Sequence, residues 1–131
     1  GAMHARAPLV SELYYGCDSA HFYLRLDFEP AAREQLPGLE LRLSVETAAG
    51  AAFGMTLRIE AGYSVSCDNS AVTAALGKIL EVRLPLAAMG ADAASAVSFP
   101  LSLWKDSLPL DCLPAQGRLS CSTAEPAGWH G

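Results

Sequence analysis

Apolar and polar residues alternate with a period of two along much of this chain, the repeat that sends successive side chains to opposite faces of a β-strand. Phe22, Leu24, Leu26 and Phe28 fall on one face, with Tyr23, Arg25 and Asp27 on the other. Leu39, Leu41, Leu43 and Val45 alternate in the same way with Glu40, Arg42, Ser44 and Glu46, and Met55, Leu57 and Ile59 with Thr56, Arg58 and Glu60. Two further runs follow: Leu80, Val82 and Leu84 against Glu81 and Arg83, then Val97, Phe99, Leu101 and Leu103 against Ser98, Pro100, Ser102 and Trp104. A strand buried on one face only belongs to an antiparallel sheet with a wetted outer side. Turn-forming clusters separate the runs at Gly16-Cys17-Asp18-Ser19, Pro37-Gly38, Ala49-Gly50, Asp68-Asn69-Ser70 and Lys105-Asp106-Ser107.

Helical signals are short. Pro30 to Leu36 and Pro85 to Met89 each start on proline, and Gly90 closes the second, so one or two short helical turns are expected. Ala71 to Leu76 reads either way, because alanine favours helix while the surroundings read as strand. Amphipathic strands joined by short turns bury their apolar faces by packing as two sheets. The expected fold is therefore an all-β antiparallel β-sandwich.

Composition agrees with that reading and limits the partners. The 131 residues, 51% of them apolar, suffice for one core that folds without a metal or a disulfide. A formal charge of −5 opposes binding to nucleic acid or to an anionic membrane surface. No apolar run approaches the roughly 20 residues of a membrane span. The expected organisation is a tag remnant and flexible N-terminus over residues 1–7, opening with Gly1-Ala2-Met3, a sandwich over 8–124, and a tail over 125–131 that carries Trp129. The domain is read as a monomeric fragment of a longer parent chain.

Cys17, Cys67, Cys112 and Cys121 form no C-x-x-C pair, which argues against a zinc ribbon or a thioredoxin-type site. They read as small, buried, reduced residues. The competing reading is a Cys112–Cys121 bridge between two strands that face each other across a Pro/Gly turn.

Catalytic constellations are sparse. H-E-x-x-H, G-x-S-x-G and a P-loop do not occur. His4 and His130 lie in the terminal segments, so His21, near Cys17 and Asp18, gives the one nucleophile–base grouping, in a hairpin turn where no pocket is expected. The outward carboxylates Glu40, Glu46, Glu60 and Glu81 have Arg42, Arg58 and Arg83 nearby. They read as cross-strand ion pairs rather than as the acid and base of a glycosidase. Asp68-Asn69-Ser70 offers oxygen ligands to a calcium ion, but an Asx turn accounts for the same residues. No catalytic residue, metal or cofactor is expected.

The outward aromatic residues carry the functional reading. Parity puts Trp104 and Tyr23 outside and sends Tyr14 and Tyr15 to opposite faces of one strand. A flat ring on the outside of a sheet can stack on the apolar face of a pyranose while polar neighbours bond its hydroxyls. The candidate ligand-binding residues are Trp104 and Tyr23 with Arg25, Asp27, Glu40 and Arg42. In the competing reading Trp104 packs against a neighbouring domain.

Several segments resemble a β-sandwich accessory domain found in glycoside hydrolase family 57 proteins. They are Tyr14-Tyr15-Gly16-Cys17-Asp18 with Phe22-Tyr23-Leu24-Arg25-Leu26-Asp27-Phe28, Leu80-Glu81-Val82-Arg83-Leu84-Pro85-Leu86 with Met89-Gly90, and Trp104-Lys105-Asp106 with Leu113-Pro114 and Gly117. Such domains are similar to family 9 carbohydrate-binding modules and to DOMON domains. Asp106-Ser107 stands where Asp-Gly is expected, which puts the form of that turn in question. The resemblance implies a non-catalytic accessory domain of an enzyme acting on α-glucan, and it carries no defined set of sugar-binding residues.

Three functions compete. A carbohydrate-binding module would hold a polysaccharide or oligosaccharide near the catalytic domain of the parent chain, raising its effective concentration. A structural domain would pack on that catalytic domain without touching sugar and would expose an apolar patch. A DOMON-like sandwich would hold haem between His21 and either Met55 or Met89. The first is favoured.

Overall fold

The computed structural model describes residues 9–47, 50, 52–90, 96–113 and 119–122. The expected tag remnant, the tail with Trp129, the terminal histidines and both limits of the expected domain lie outside these residues. In chain order the strands are β1 (Val10–Cys17), β2 (His21–Phe28), β3 (Leu39–Thr47), β4 (Ala52–Ile59), β5 (Val65–Cys67), β6 (Thr73–Leu76), β7 (Ile79–Pro85), β8 (Ala96–Phe99), β9 (Leu101–Lys105), β10 (Leu108–Leu113) and β11 (Leu119–Ser122). Short 3₁₀ turns span Pro30–Gln35 and Leu86–Met89.

Two antiparallel sheets pack face to face. The smaller is four-stranded in the order β1-β2-β7-β6. The larger is seven-stranded, with β10-β9-β3-β4-β5 as its main path and β8 pairing both β3 and β11. The inward positions set by alternation form the core: Phe22, Leu24 and Leu26 from β2, Leu39, Leu41, Leu43 and Val45 on β3, Met55, Leu57 and Ile59 on β4, and Leu80, Val82 and Leu84 on β7 are all buried. Each such side chain contributes about 1.5–3 kcal/mol by leaving water. The sheets meet at Phe22 and Phe99, whose rings stand edge to face at 5.0 Å, with Tyr15 edge-on to Phe99 at 5.3 Å.

Local chemistry explains the interruptions. Val97, Phe99, Leu101 and Leu103 are all buried as expected, but the run is two strands, β8 and β9, split at Pro100. Proline has no N–H to give to the ladder. Both pieces still pair β3, Ser98 opposite Glu46 and Leu101 opposite Leu43. Within Ala71 to Leu76, Thr73–Leu76 forms the short edge strand β6, so pairing with β7 outweighs the helical preference of alanine there. Gly90 ends the second helical turn at φ +73°, a left-handed conformation that glycine adopts without strain.

Several expectations need correction. β10 and β11 do not face each other: β10 pairs β9 and β11 pairs β8, so they follow one another along one edge. Cys112 sits opposite Ser102 and Cys121 opposite Val97. Cys112 is free and exposed and Cys67 half-buried, so only Cys17 among the described thiols is buried in the core. Two of the carboxylates named as cross-strand partners, Glu40 and Glu60, pair along their own strands instead, with Arg42 and Arg58, each at 3.5 Å. Two residues apart on one strand, both side chains emerge on the same face. The turn between β9 and β10 keeps the two-residue form expected of Asp-Gly: Asp106 and Ser107 have φ of +52° and +64°. Serine there carries the strain that glycine would avoid.

Candidate functional site

The six candidate residues lie on opposite outer faces of the sandwich. Trp104, Glu40 and Arg42 belong to the larger sheet, where Trp104 is opposite Glu40 and Ser102 opposite Arg42. Tyr23, Arg25 and Asp27 belong to β2 of the smaller sheet. One small ligand cannot touch both groups.

On the larger sheet the side chains satisfy one another. The Arg42 guanidinium lies 4.0 Å from the centroid of the Trp104 ring. Trp104 Nε1 donates to Ser102 Oγ at 2.9 Å, and Arg42 pairs with Glu40. Beyond Arg58, Ser66 Oγ donates to Glu60 at 2.7 Å. The indole is outward as parity requires, but its own arginine already covers one face.

The smaller sheet presents three rows across β2, β7 and β6. Tyr23 is opposite Arg83, which is opposite Thr73; Arg25 is opposite Glu81, which is opposite Ala75; Asp27 is opposite Ile79. Arg25 is engaged, gripping Asp27 at 2.7 and 3.0 Å and lying 4.9 Å from the centroid of the Tyr14 ring. The first row is different. Tyr23, Thr73, Ala75, Glu81 and Arg83 line a depression of about 400 Å³. Among the described residues Arg83, Glu81 and Thr73 have exposed side chains with no hydrogen-bond or ion-pair partner.

The turn before β2 fixes the aromatic wall of this depression. Asp18 Oδ1 accepts the backbone N–H groups of Ala20 and His21 at 2.8 and 2.7 Å, and Oδ2 accepts the Tyr23 hydroxyl at 2.8 Å. The Ala20 amide first, then the Tyr23 hydroxyl and the His21 amide, hold the Asp18 carboxyl below its usual range. The same bond pushes the Tyr23 phenol up. Tied at its far end, the ring keeps one orientation without help from a ligand.

The alternatives find no geometry. Cys17 is buried in the core, and Asp18 is spent on the backbone amides of the turn. His21 lies beside Tyr23 with ring centroids 5.8 Å apart, whereas Met55 and Met89 are buried in the core. Asn69 Oδ1 accepts the Ala71 amide at 2.9 Å, the Asx-turn reading of that loop, and Asp68 Oδ1 accepts the Thr56 amide of β4 at 2.9 Å. Among the described residues no cluster of three or more His, Cys, Asp or Glu side chains is placed to hold a metal.

Thr73, Ala75, Glu81 and Arg83 were not singled out as a site by the sequence. The outward parity of Glu81 and Arg83 was legible, but their meeting with Tyr23 depends on the pairing of β2 with β7, far apart in the chain. No family model matches the chain, and no curated protein or solved structure matches it either.

Proposed function

We propose that this domain is a non-catalytic carbohydrate-binding module that serves a polysaccharide-active enzyme, with its site in the Tyr23 depression rather than at Trp104. One observation carries the reading: a tyrosine ring held by Asp18 stands beside an arginine, a glutamate and a threonine whose side chains make no hydrogen bond or ion pair among the described residues. Sugar hydroxyls both donate and accept. An exposed donor fork next to an exposed carboxylate suits them, and the ring supplies the apolar surface. Ala75 leaves room on the floor of the depression.

The likeness of several segments to an accessory domain of glycoside hydrolase family 57 proteins supports an α-glucan as the ligand. One ring in an open depression implies weak, millimolar-range affinity, useful because the catalytic domain of the parent chain is tethered to the same polysaccharide. The competing role, docking without sugar, calls for an exposed apolar patch. Among the described residues Leu108, 66% exposed, is the only large apolar side chain in that class.

The test is calorimetric titration with gluco-oligosaccharides at millimolar concentration. Binding that is lost in Tyr23→Ala and kept in Trp104→Ala is expected. No heat with the unaltered domain overturns the sugar-binding role, and loss in Trp104→Ala alone moves the site to the larger sheet.

A further inference from the structure

The Tyr23 depression has a neighbour at the other end of the same strands. A second depression, about 740 Å³, lies where β2 ends and the turn between β6 and β7 begins. Phe28, Pro30 and Ile79 give it apolar surface, and Asp27, Glu29 and Lys78 give it charge. Its wall is rigid: Arg33 donates to the Gly77 carbonyl at 2.6 Å and stacks 4.7 Å from the centroid of the Tyr63 ring. Between Tyr23 and Asp27 on β2 stands Arg25, opposite Glu81 of the first depression and paired with Asp27 of the second.

Resting on the sugar-binding reading above, we infer that the two depressions are subsites of one trough that takes a linear, neutral glycan lying along β2 and β7. Tyr23 and Asp27 are four residues apart on one strand, about 13–14 Å, so the trough outlasts a single sugar ring. It carries both signs of charge throughout: Arg83 and Glu81 at the Tyr23 end, the Arg25–Asp27 pair between, and Lys78, Arg33 and Glu29 at the far end. A ligand of either net charge would meet like charge at both ends, whereas hydroxyls find donors and acceptors at both. The Tyr23 end supplies the aromatic stack, and the Lys78 end adds contacts that only a longer chain reaches.

Calorimetric titration of the whole domain with linear gluco-oligosaccharides of increasing length tests this, in the unaltered protein, in Tyr23→Ala and in the double variant Lys78→Ala, Glu29→Gln. Affinity is expected to rise about tenfold or more from the disaccharide to the longest chain and then level off. The double variant should flatten that rise and leave disaccharide binding unchanged, while Tyr23→Ala weakens every length. Lys78 is exposed, and an unchanged amide spectrum of the double variant confirms that it is folded. Equal affinity at all lengths, or a rise that survives in the double variant, overturns the two-subsite trough and leaves the Tyr23 site standing. Tighter binding of an acidic oligosaccharide of equal length overturns the neutral class. No binding at any length overturns both proposals.

Discussion

Arg42 and Trp104 form a stack on the outer face of the larger sheet, with the guanidinium 4.0 Å from the ring centroid. The two residues sit diagonally on neighbouring strands, two residues apart in register, and Ser102 turns the indole toward Arg42 by accepting a hydrogen bond from its Nε1–H. A tryptophan on an open sheet face is an obvious sugar platform from sequence. Here the face it would offer is taken by a cation from the same molecule.

Replacing Arg42 with alanine uncovers that face. The loss of an exposed cation–π contact costs about 0.5–1 kcal/mol, read as a lower urea midpoint, and the Trp104 indole N–H resonance shifts. Glycan affinity stays unchanged if the ligand lies on the Tyr23 side. A gain in affinity would mean that Arg42 competes with sugar for the ring.

The hairpin between β9 and β10 gives a prediction of opposite sign. Ser107→Gly relieves a left-handed residue and is expected to stabilise the domain by about 0.5–1 kcal/mol, after the extra backbone entropy of glycine is subtracted. Urea unfolding should show a higher midpoint with an unchanged slope, since the surface exposed on unfolding is the same. Ser107→Val, which adds a β-branched side chain at positive φ, should lower the midpoint.

Much of the fold was legible because alternation decides which face of a strand is buried, and the buried set on β2, β3, β4, β7, β8 and β9 follows it. Alternation does not say which strands are neighbours. Tyr23 and Trp104 both read correctly as outward, yet they stand on opposite sides of the molecule because β2 and β9 belong to different sheets. The Cys112–Cys121 bridge failed for the same reason: a Pro/Gly turn between two strands suggested a hairpin, while both strands extend one edge instead. The Tyr23 depression was hidden twice over, by the non-local pairing of β2 with β7 and by an alanine-rich edge strand whose local preference opposes its structure.

The cysteines separate by reactivity. Under native conditions a thiol reagent should modify Cys112 first, Cys67 slowly and Cys17 only on unfolding, followed by peptide mass mapping. Cys67 is half-buried, and burial pushes its thiol up, so it offers less of the reactive thiolate. Modification of Cys17 at the rate of Cys112 would contradict the burial of β1 against the core. Cys112→Ser should change stability by less than about 0.5 kcal/mol, as expected at an exposed position.

Asp18 links the stability of the first hairpin to the shape of the site. Its carboxyl is held below the usual range in the folded protein by the Ala20 amide, the Tyr23 hydroxyl and the His21 amide, so its ionised form favours folding. That contribution is fully present above the unfolded value near pH 4 and is lost as pH falls through the lower folded value. The difference in urea midpoint between the unaltered domain and Asp18→Ala should therefore shrink below about pH 4. Tyr23 behaves in the opposite sense: its phenol is raised, so its share is present below about pH 10 and is lost as pH rises through the folded value. Asp18→Ala also frees the ring at neutral pH. In the proposed site it should weaken glycan binding although the carboxylate is spent on the turn and the hydroxyl, and Tyr23→Phe should reproduce part of that loss by cutting the same tether. If both variants bind as tightly as the unaltered domain, the fixed orientation of Tyr23 has no part in recognition.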